Sequence, residues 1–165
     1  SRIAKKKYPN AKVVFIGPCI AKRKETQRDE CVDYVITFEE LHSIFRGFGI
    51  ELAQTNPYKV AYESVCEAHG FAQAGGVAGA VKAYLGPKAD GIKMLQFSDF
   101  NKKSIGQMRA WAKTGKVDAQ FIEMMACEGG CVTGPSAYND SVSGKRQLNQ
   151  DLLKRTLKYE NYKEQ

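Results

Sequence analysis

The chain has 165 residues, 43% hydrophobic and 26% charged, values of a globular domain long enough for one core. No apolar run approaches the roughly 18–20 residues that span a bilayer, and the N-terminus carries no signal-peptide pattern, so a membrane-spanning helix is excluded and a cytoplasmic setting is expected. The formal net charge is +7, but the basic residues are scattered over Lys5-Lys6-Lys7, Lys22-Arg23-Lys24 and Lys102-Lys103 without a nucleic-acid motif, so a solvated or acidic-partner face is expected rather than a nucleic-acid site.

Arg2–Lys7 reads as a basic helical lead-in, and Ala11–Ile16 as the first strand. Asp33–Thr37 is β-branched and aromatic, a second strand. Thr37 then serves as N-cap for a helix over Phe38–Arg46, with Glu40 completing a capping box and Gly47 as the stop. Gly49 to Gly70 reads as loop. Phe71–Leu85 follows as a helix, with Val77, Val81 and Leu85 on one stripe, Gly75-Gly76 suited to close packing, and Gly86-Pro87 as terminator. Ile92–Phe97 is a third strand, Lys102–Thr114 a helix with Met108 and Trp111 facing the core, and Ala119–Met124 a fourth strand. Lys145–Tyr162 completes the chain as a charged helix with Leu148, Leu152, Leu153 and Leu157 on one face. Strands alternating with helices predict an α/β layer of about four mostly parallel strands, with no linker dividing the chain. In such sheets ligands bind at the carboxyl ends of the strands.

Five cysteines are an odd number in a chain too large to need disulfide staples, which favours a reduced compartment and metal or redox chemistry. Cys127 and Cys131 enclose Gly129-Gly130 just after the fourth strand, and Cys19 follows the first. Thiolates four positions apart on a glycine-rich loop reach one compact soft-metal group, and glycine lets the backbone approach it. All three are therefore predicted to converge on one cluster. Taken alone, Cys127 and Cys131 also suit a zinc half-site or a redox pair, and Cys19 a buried core thiol. Zinc would require a second ligand pair, and neither His42 nor His69 stands at ligand spacing. Cys31 and Cys66 match no pattern and read as bystanders.

Gly17-Pro18-Cys19-Ile20-Ala21-Lys22-Arg23-Lys24-Glu25 resembles the second signature of iron-only (FeFe) hydrogenases, Pro-Cys-x-x-Lys-x-x-Glu. Met125-Ala126-Cys127-Glu128-Gly129-Gly130-Cys131 is similar to the third, Met-Ala-Cys-x-Gly-Gly-Cys, and Phe71–Leu85 to the segment between them. The resemblance covers nearly the whole chain and corresponds to the C-terminal portion of the large-subunit catalytic domain, residues 1–165.

That resemblance implies an H-cluster: a 4Fe–4S cubane joined through one cysteine sulfur to a two-iron unit carrying CO and cyanide. Carried over by motif, Cys19, Cys127 and Cys131 are cubane ligands, with Cys131 the bridge to the two-iron unit. Lys22 donates to an iron-bound cyanide, Glu25 orients and neutralises that ammonium, and Met125 packs against the two-iron unit as a soft apolar neighbour. The implied chemistry is reversible hydrogen oxidation, 2 H⁺ + 2 e⁻ to H₂. The implied partners are the upstream half of the same domain and a ferredoxin-type electron carrier or fused Fe–S domain.

Three departures qualify these expectations. The first signature, Thr-Ser-Cys-Cys-Pro, which carries the fourth cubane cysteine and a proton-relay cysteine, is not in this sequence. The chain by itself is accordingly expected to be inactive and to lack a complete H-cluster. Gly17 stands where the family usually has methionine, a change expected to open space and remove a soft contact, as in the family's sensory branch. Glu128 replaces a common proline, and Val132-Thr133-Gly134-Pro135 replaces a Gly-rich run. Alternatives to catalysis are a hydrogen-sensing module and a cofactor-free scaffold or binding lobe.

Overall fold

The structure is a computed structural model that describes residues 1–28, 30–58 and 64–161. The expected element types are present, but the four strands form two separate two-stranded parallel sheets rather than one layer. The chain divides into two units, Ser1–Lys59 with Gly134–Asp140, and Val60–Thr133 with Ser141–Gln165. Because the units interleave along the chain, no single composition break marks their boundary.

In the first unit, β1 (Val14–Gly17) pairs in parallel with β2 (Tyr34–Thr37), Val14 opposite Tyr34 and Gly17 opposite Thr37. Around them stand α1 (Arg2–Lys7), α2 (Ala21–Thr26) and α3 (Phe38–Gly47). The turn into β2 is tied to β1 by Asp33, whose carboxylate accepts from Lys5 Nζ at 2.7 Å, the Val13 N–H at 2.7 Å and Lys12 Nζ at 3.3 Å. Thr37 caps α3 as expected: its Oγ1 accepts the Glu40 N–H at 3.2 Å while Glu40 Oε2 accepts the Thr37 N–H at 2.8 Å. The helix runs through Gly47, the expected stop, and the chain turns instead at Gly49, where φ is 68°. One face of this sheet is uncovered, with Val14, Ile16 and Tyr34 at 41%, 44% and 57% exposure. Parallel sheets are normally covered on both faces, so this one lacks a neighbour among the described residues.

In the second unit, α4 (Cys66–His69) and a 3₁₀ turn (Gly70–Ala72) precede α5 (Gly76–Leu85). The helix expected from Phe71 thus starts five residues late, because Gly75 takes a left-handed φ of 87° that no helix continues through. The close packing expected of the glycine pair is present: a side chain on Gly76 would overlap the Gly70 carbonyl oxygen. Next, β3 (Met94–Phe97) pairs in parallel with β4 (Phe121–Met124), joined through α6 (Lys102–Thr114). Asn101 caps α6 by accepting from the Lys103 and Ser104 N–H groups, each at 3.0 Å. Trp111 stands edge-to-face on Phe97 with ring centroids 5.5 Å apart.

The last helix, α7 (Ser141–Lys154), begins earlier and ends sooner than the predicted Lys145–Tyr162; Leu157 falls beyond it, and Tyr162 lies outside the described residues. Leu148 and Leu152 are half-buried, but Leu153 is 87% exposed and off the packed face. Core packing is thinner than the composition predicts. Among the described residues the buried apolar side chains are those of Ala78 and Ala89.

Candidate functional site

The first motif sits at the carboxyl end of β1. Gly17 is buried, Pro18 and Cys19 are half-buried, and α2 begins at Ala21. The Pro18 carbonyl accepts the N–H of buried Ser136 at 3.2 Å, which fixes the backbone next to Cys19. Lys22 and Glu25, one helical turn apart on α2, form an ion pair with side chains 37% and 61% exposed. The neighbouring Arg23 donates to Glu40 Oε1 at 2.5 Å.

Two carboxyl groups in this unit are held below the usual carboxylate range. For Asp33 the Lys5 ammonium is the main cause, then the Val13 N–H. For Glu40 it is the Thr37 N–H, then the Arg23 guanidinium. Both serve the frame around β1 and β2.

Gly17 does not leave the opening expected of it. A Cβ there would lie 3.0 and 3.2 Å from the Cε1 and Cζ of Phe15, so that ring already fills the space.

The second motif follows β4. Met125 is half-buried and its N–H donates to the Phe97 carbonyl at 2.7 Å, extending the ladder one residue beyond the strand. The chain then turns: the Gly130 N–H donates to the Cys127 carbonyl at 3.0 Å, and Thr133 Oγ1 donates to the Gly130 carbonyl at 2.9 Å and also approaches the Glu128 carbonyl. Cys127 is half-buried and Cys131 exposed. The loop lies against the segment before α5. The Ala74 N–H donates to the Gly129 carbonyl at 3.1 Å. A Cβ on Gly130, whose φ is 99°, would come within 2.6 Å of Ala74 N, 2.7 Å of Gln73 C and 2.8 Å of Ala72 O. Only glycine fits that approach.

Cys19, Lys22 and Glu25 thus belong to the first unit, and Met125, Cys127 and Cys131 to the second. Within neither unit do three His, Cys, Asp or Glu side chains among the described residues gather as a metal site. No disulfide joins any of the five cysteines. Of the two unmatched thiols, Cys66 Sγ donates to the Leu152 carbonyl at 3.4 Å, a packing role between α4 and α7, and Cys31 is half-buried. His42 stacks on Tyr138 at 4.5 Å and His69 bonds Ser64 at 2.5 Å, so each has a local structural partner.

Sequence reasoning missed Glu123. Its carboxylate is buried at 5% exposure and accepts the Gly75 N–H at 2.6 Å and the Ala78 N–H at 2.7 Å. The signal was present as one acidic residue inside the apolar strand Phe121-Ile122-Glu123-Met124, since a buried carboxylate requires donors.

The profile of the family described as iron only hydrogenase large subunit, C-terminal domain, matches residues 1–135, a span that includes both cysteine motifs. The chain belongs to the iron-only hydrogenase large-subunit family. Solved structures agree on the fold. A structure of HydA(deltaEFG), concerned with stepwise assembly of the (FeFe)-hydrogenase H-cluster, superposes with a TM-score of 0.58 at 20% identity, covering 96% of this chain and 58% of that one. A variant of (FeFe)-hydrogenase HydA1 from Chlamydomonas reinhardtii gives 0.56 at 22% identity, covering 98% and 59%. The chain therefore spans under three fifths of the length of these hydrogenases.

Cys127 and Cys131, outside any disulfide and on one glycine-bearing loop, are of the soft donor type that iron–sulfur clusters take. The described residues contain no helix long and apolar enough to cross a membrane.

Proposed function

We propose that this chain forms part of an H-cluster domain whose complete protein is an oxidoreductase of the hydrogenase type, interconverting hydrogen with protons and electrons. The observation that carries the reading is the family match across residues 1–135, which contains both cysteine signatures in order. In this reading Cys19, Cys127 and Cys131 would hold the cubane, and Cys131 would also serve the two-iron unit. When bound, the cluster supplies the redox chemistry of hydrogen.

This chain's own residues bind and orient it. Lys22 would present an ammonium to an electron-rich cyanide ligand of the cluster, and its pairing with Glu25 supports a role for that carboxylate in aiming the charge. Met125, half-buried and fixed through its N–H to Phe97, supplies an apolar wall that limits water.

The upstream half of the family domain is the proposed partner, supplying the fourth thiolate and covering the apolar face of β1 and β2. A ferredoxin-type carrier or fused Fe–S domain is the proposed electron partner. A second reading, hydrogen sensing with slow turnover, rests on Gly17 supplying no thioether where the family usually has methionine.

Anaerobic reconstitution with iron and sulfide, followed by EPR, tests the ligand assignment. A cubane signal in the wild type should disappear in both Cys19→Ala and Cys131→Ala. A wild-type signal that survives Cys19→Ala would refute the shared cluster.

A further inference from the structure

We propose that Glu123 is a positioning residue that sets the geometry of the Cys127–Cys131 loop through the segment before α5. The inference rests on the ligand reading only for its meaning to the cluster; the mechanical part stands on the second unit alone.

Glu123 lies on β4, four residues before Cys127 in sequence, so the strand itself connects it to the start of the loop. Its two oxygens reach across to a different segment, each accepting one backbone N–H, from Gly75 at 2.6 Å and from Ala78 at 2.7 Å. The same segment then bears on the far end of the loop. Ala74 donates to the Gly129 carbonyl, and the backbone from Ala72 to Ala74 closes on Gly130 so tightly that no Cβ fits. The cysteine loop is therefore held at its start by the strand carrying Glu123 and near its end by the segment Glu123 anchors.

A buried carboxylate taking two amide donors is charge-assisted and short, which makes it a stiff connection. Gly75 presents its N–H to Glu123 from a left-handed φ, which glycine enters without the cost a side chain would add. Glutamine at position 123 keeps one acceptor and turns an NH₂ donor toward the other amide. Alanine removes both acceptors.

The test uses the whole chain and thiol reactivity, with Cys66 in the same unit and Cys19 in the other as internal references. In Glu123→Gln, alkylation of Cys127 by iodoacetamide under anaerobic conditions should accelerate on the order of tenfold relative to Cys66 and Cys19, the scale of a buried amide losing its acceptor. Glu123→Ala should accelerate it further, and hydrogen exchange at the Gly75 and Ala78 amides should rise in step. Unchanged Cys127 reactivity overturns the proposal. So does equal acceleration of Cys127 and Cys66, which would mark a general loosening of the unit.

The consequence for the cluster is read separately. After reconstitution with iron and sulfide, Glu123→Gln should retain the EPR signal but with altered g-values. If the wild type takes up no iron, cluster assembly requires the upstream half, and the thiol comparison still decides the clamp.

Discussion

Replacing Gly130 by alanine should destabilise the second unit more than a single methyl group ordinarily does. Two costs act together. The backbone φ of 99° is a left-handed conformation, which a residue with a Cβ adopts at roughly 1–2 kcal/mol. The methyl group would also meet Ala74 N, Gln73 C and Ala72 O at 2.6–2.8 Å. Those neighbours are backbone atoms, tied in turn to Glu123, so relief requires moving a segment, at about 1–3 kcal/mol for overpacking. The sum is about 2–5 kcal/mol, a large share of the roughly 5–15 kcal/mol that holds a typical domain.

The assay is urea unfolding followed by tryptophan fluorescence. Trp111 is the single tryptophan and packs on Phe97, so its emission reports on this unit. With a urea dependence of about 1.5–2 kcal/mol per molar, the midpoint should fall by on the order of 1–3 M. Gly106→Ala is the matched control. Gly106 lies within α6, and a Cβ added there would meet nothing within 4 Å, so alanine should stabilise by about 0.5–1 kcal/mol. An unchanged midpoint in Gly130→Ala, or equal shifts in the two variants, would refute the claim that close backbone approach governs the loop.

Two further predictions concern the first unit. Thr37→Ala should lose about 1–2 kcal/mol through the broken capping box and accelerate exchange of the Glu40 amide, whereas Thr37→Ser should retain most of both. The Asp33 carboxyl is depressed by Lys5, Val13 N–H and Lys12, so its contribution to stability is complete above the ordinary aspartate range and lost as pH falls through the depressed value. A carbon-13 titration should place its midpoint below ordinary aspartate, and Lys5→Met should raise it; a midpoint indifferent to Lys5→Met would remove the ion pair as the cause.

Local features were legible in the sequence. The Thr37–Glu40 capping box, the full extent of α6 and the strand before each cysteine motif all depend on residues within about one turn or one alternation of each other. The motifs likewise name their family because ligand spacing is a property of short stretches.

Tertiary structure decided the rest. Two parallel pairs stand in place of one four-stranded layer, because strand partnership depends on contacts far apart in the chain. Helix α5 starts at Gly76 rather than Phe71, and the amides at its start find Glu123 across a separation of 48 residues for Gly75 and 45 for Ala78. Leu153 carries the same apolar side chain as Leu152 yet faces solvent, since periodicity marks a stripe but only packing selects which members it covers. The space beside Gly17 is filled by Phe15, a same-strand neighbour whose ring direction no pattern of residue types specifies. Composition and spacing encode what a few neighbouring residues favour; the partner of a buried carboxylate and the wall beside a missing side chain are set only when distant segments meet.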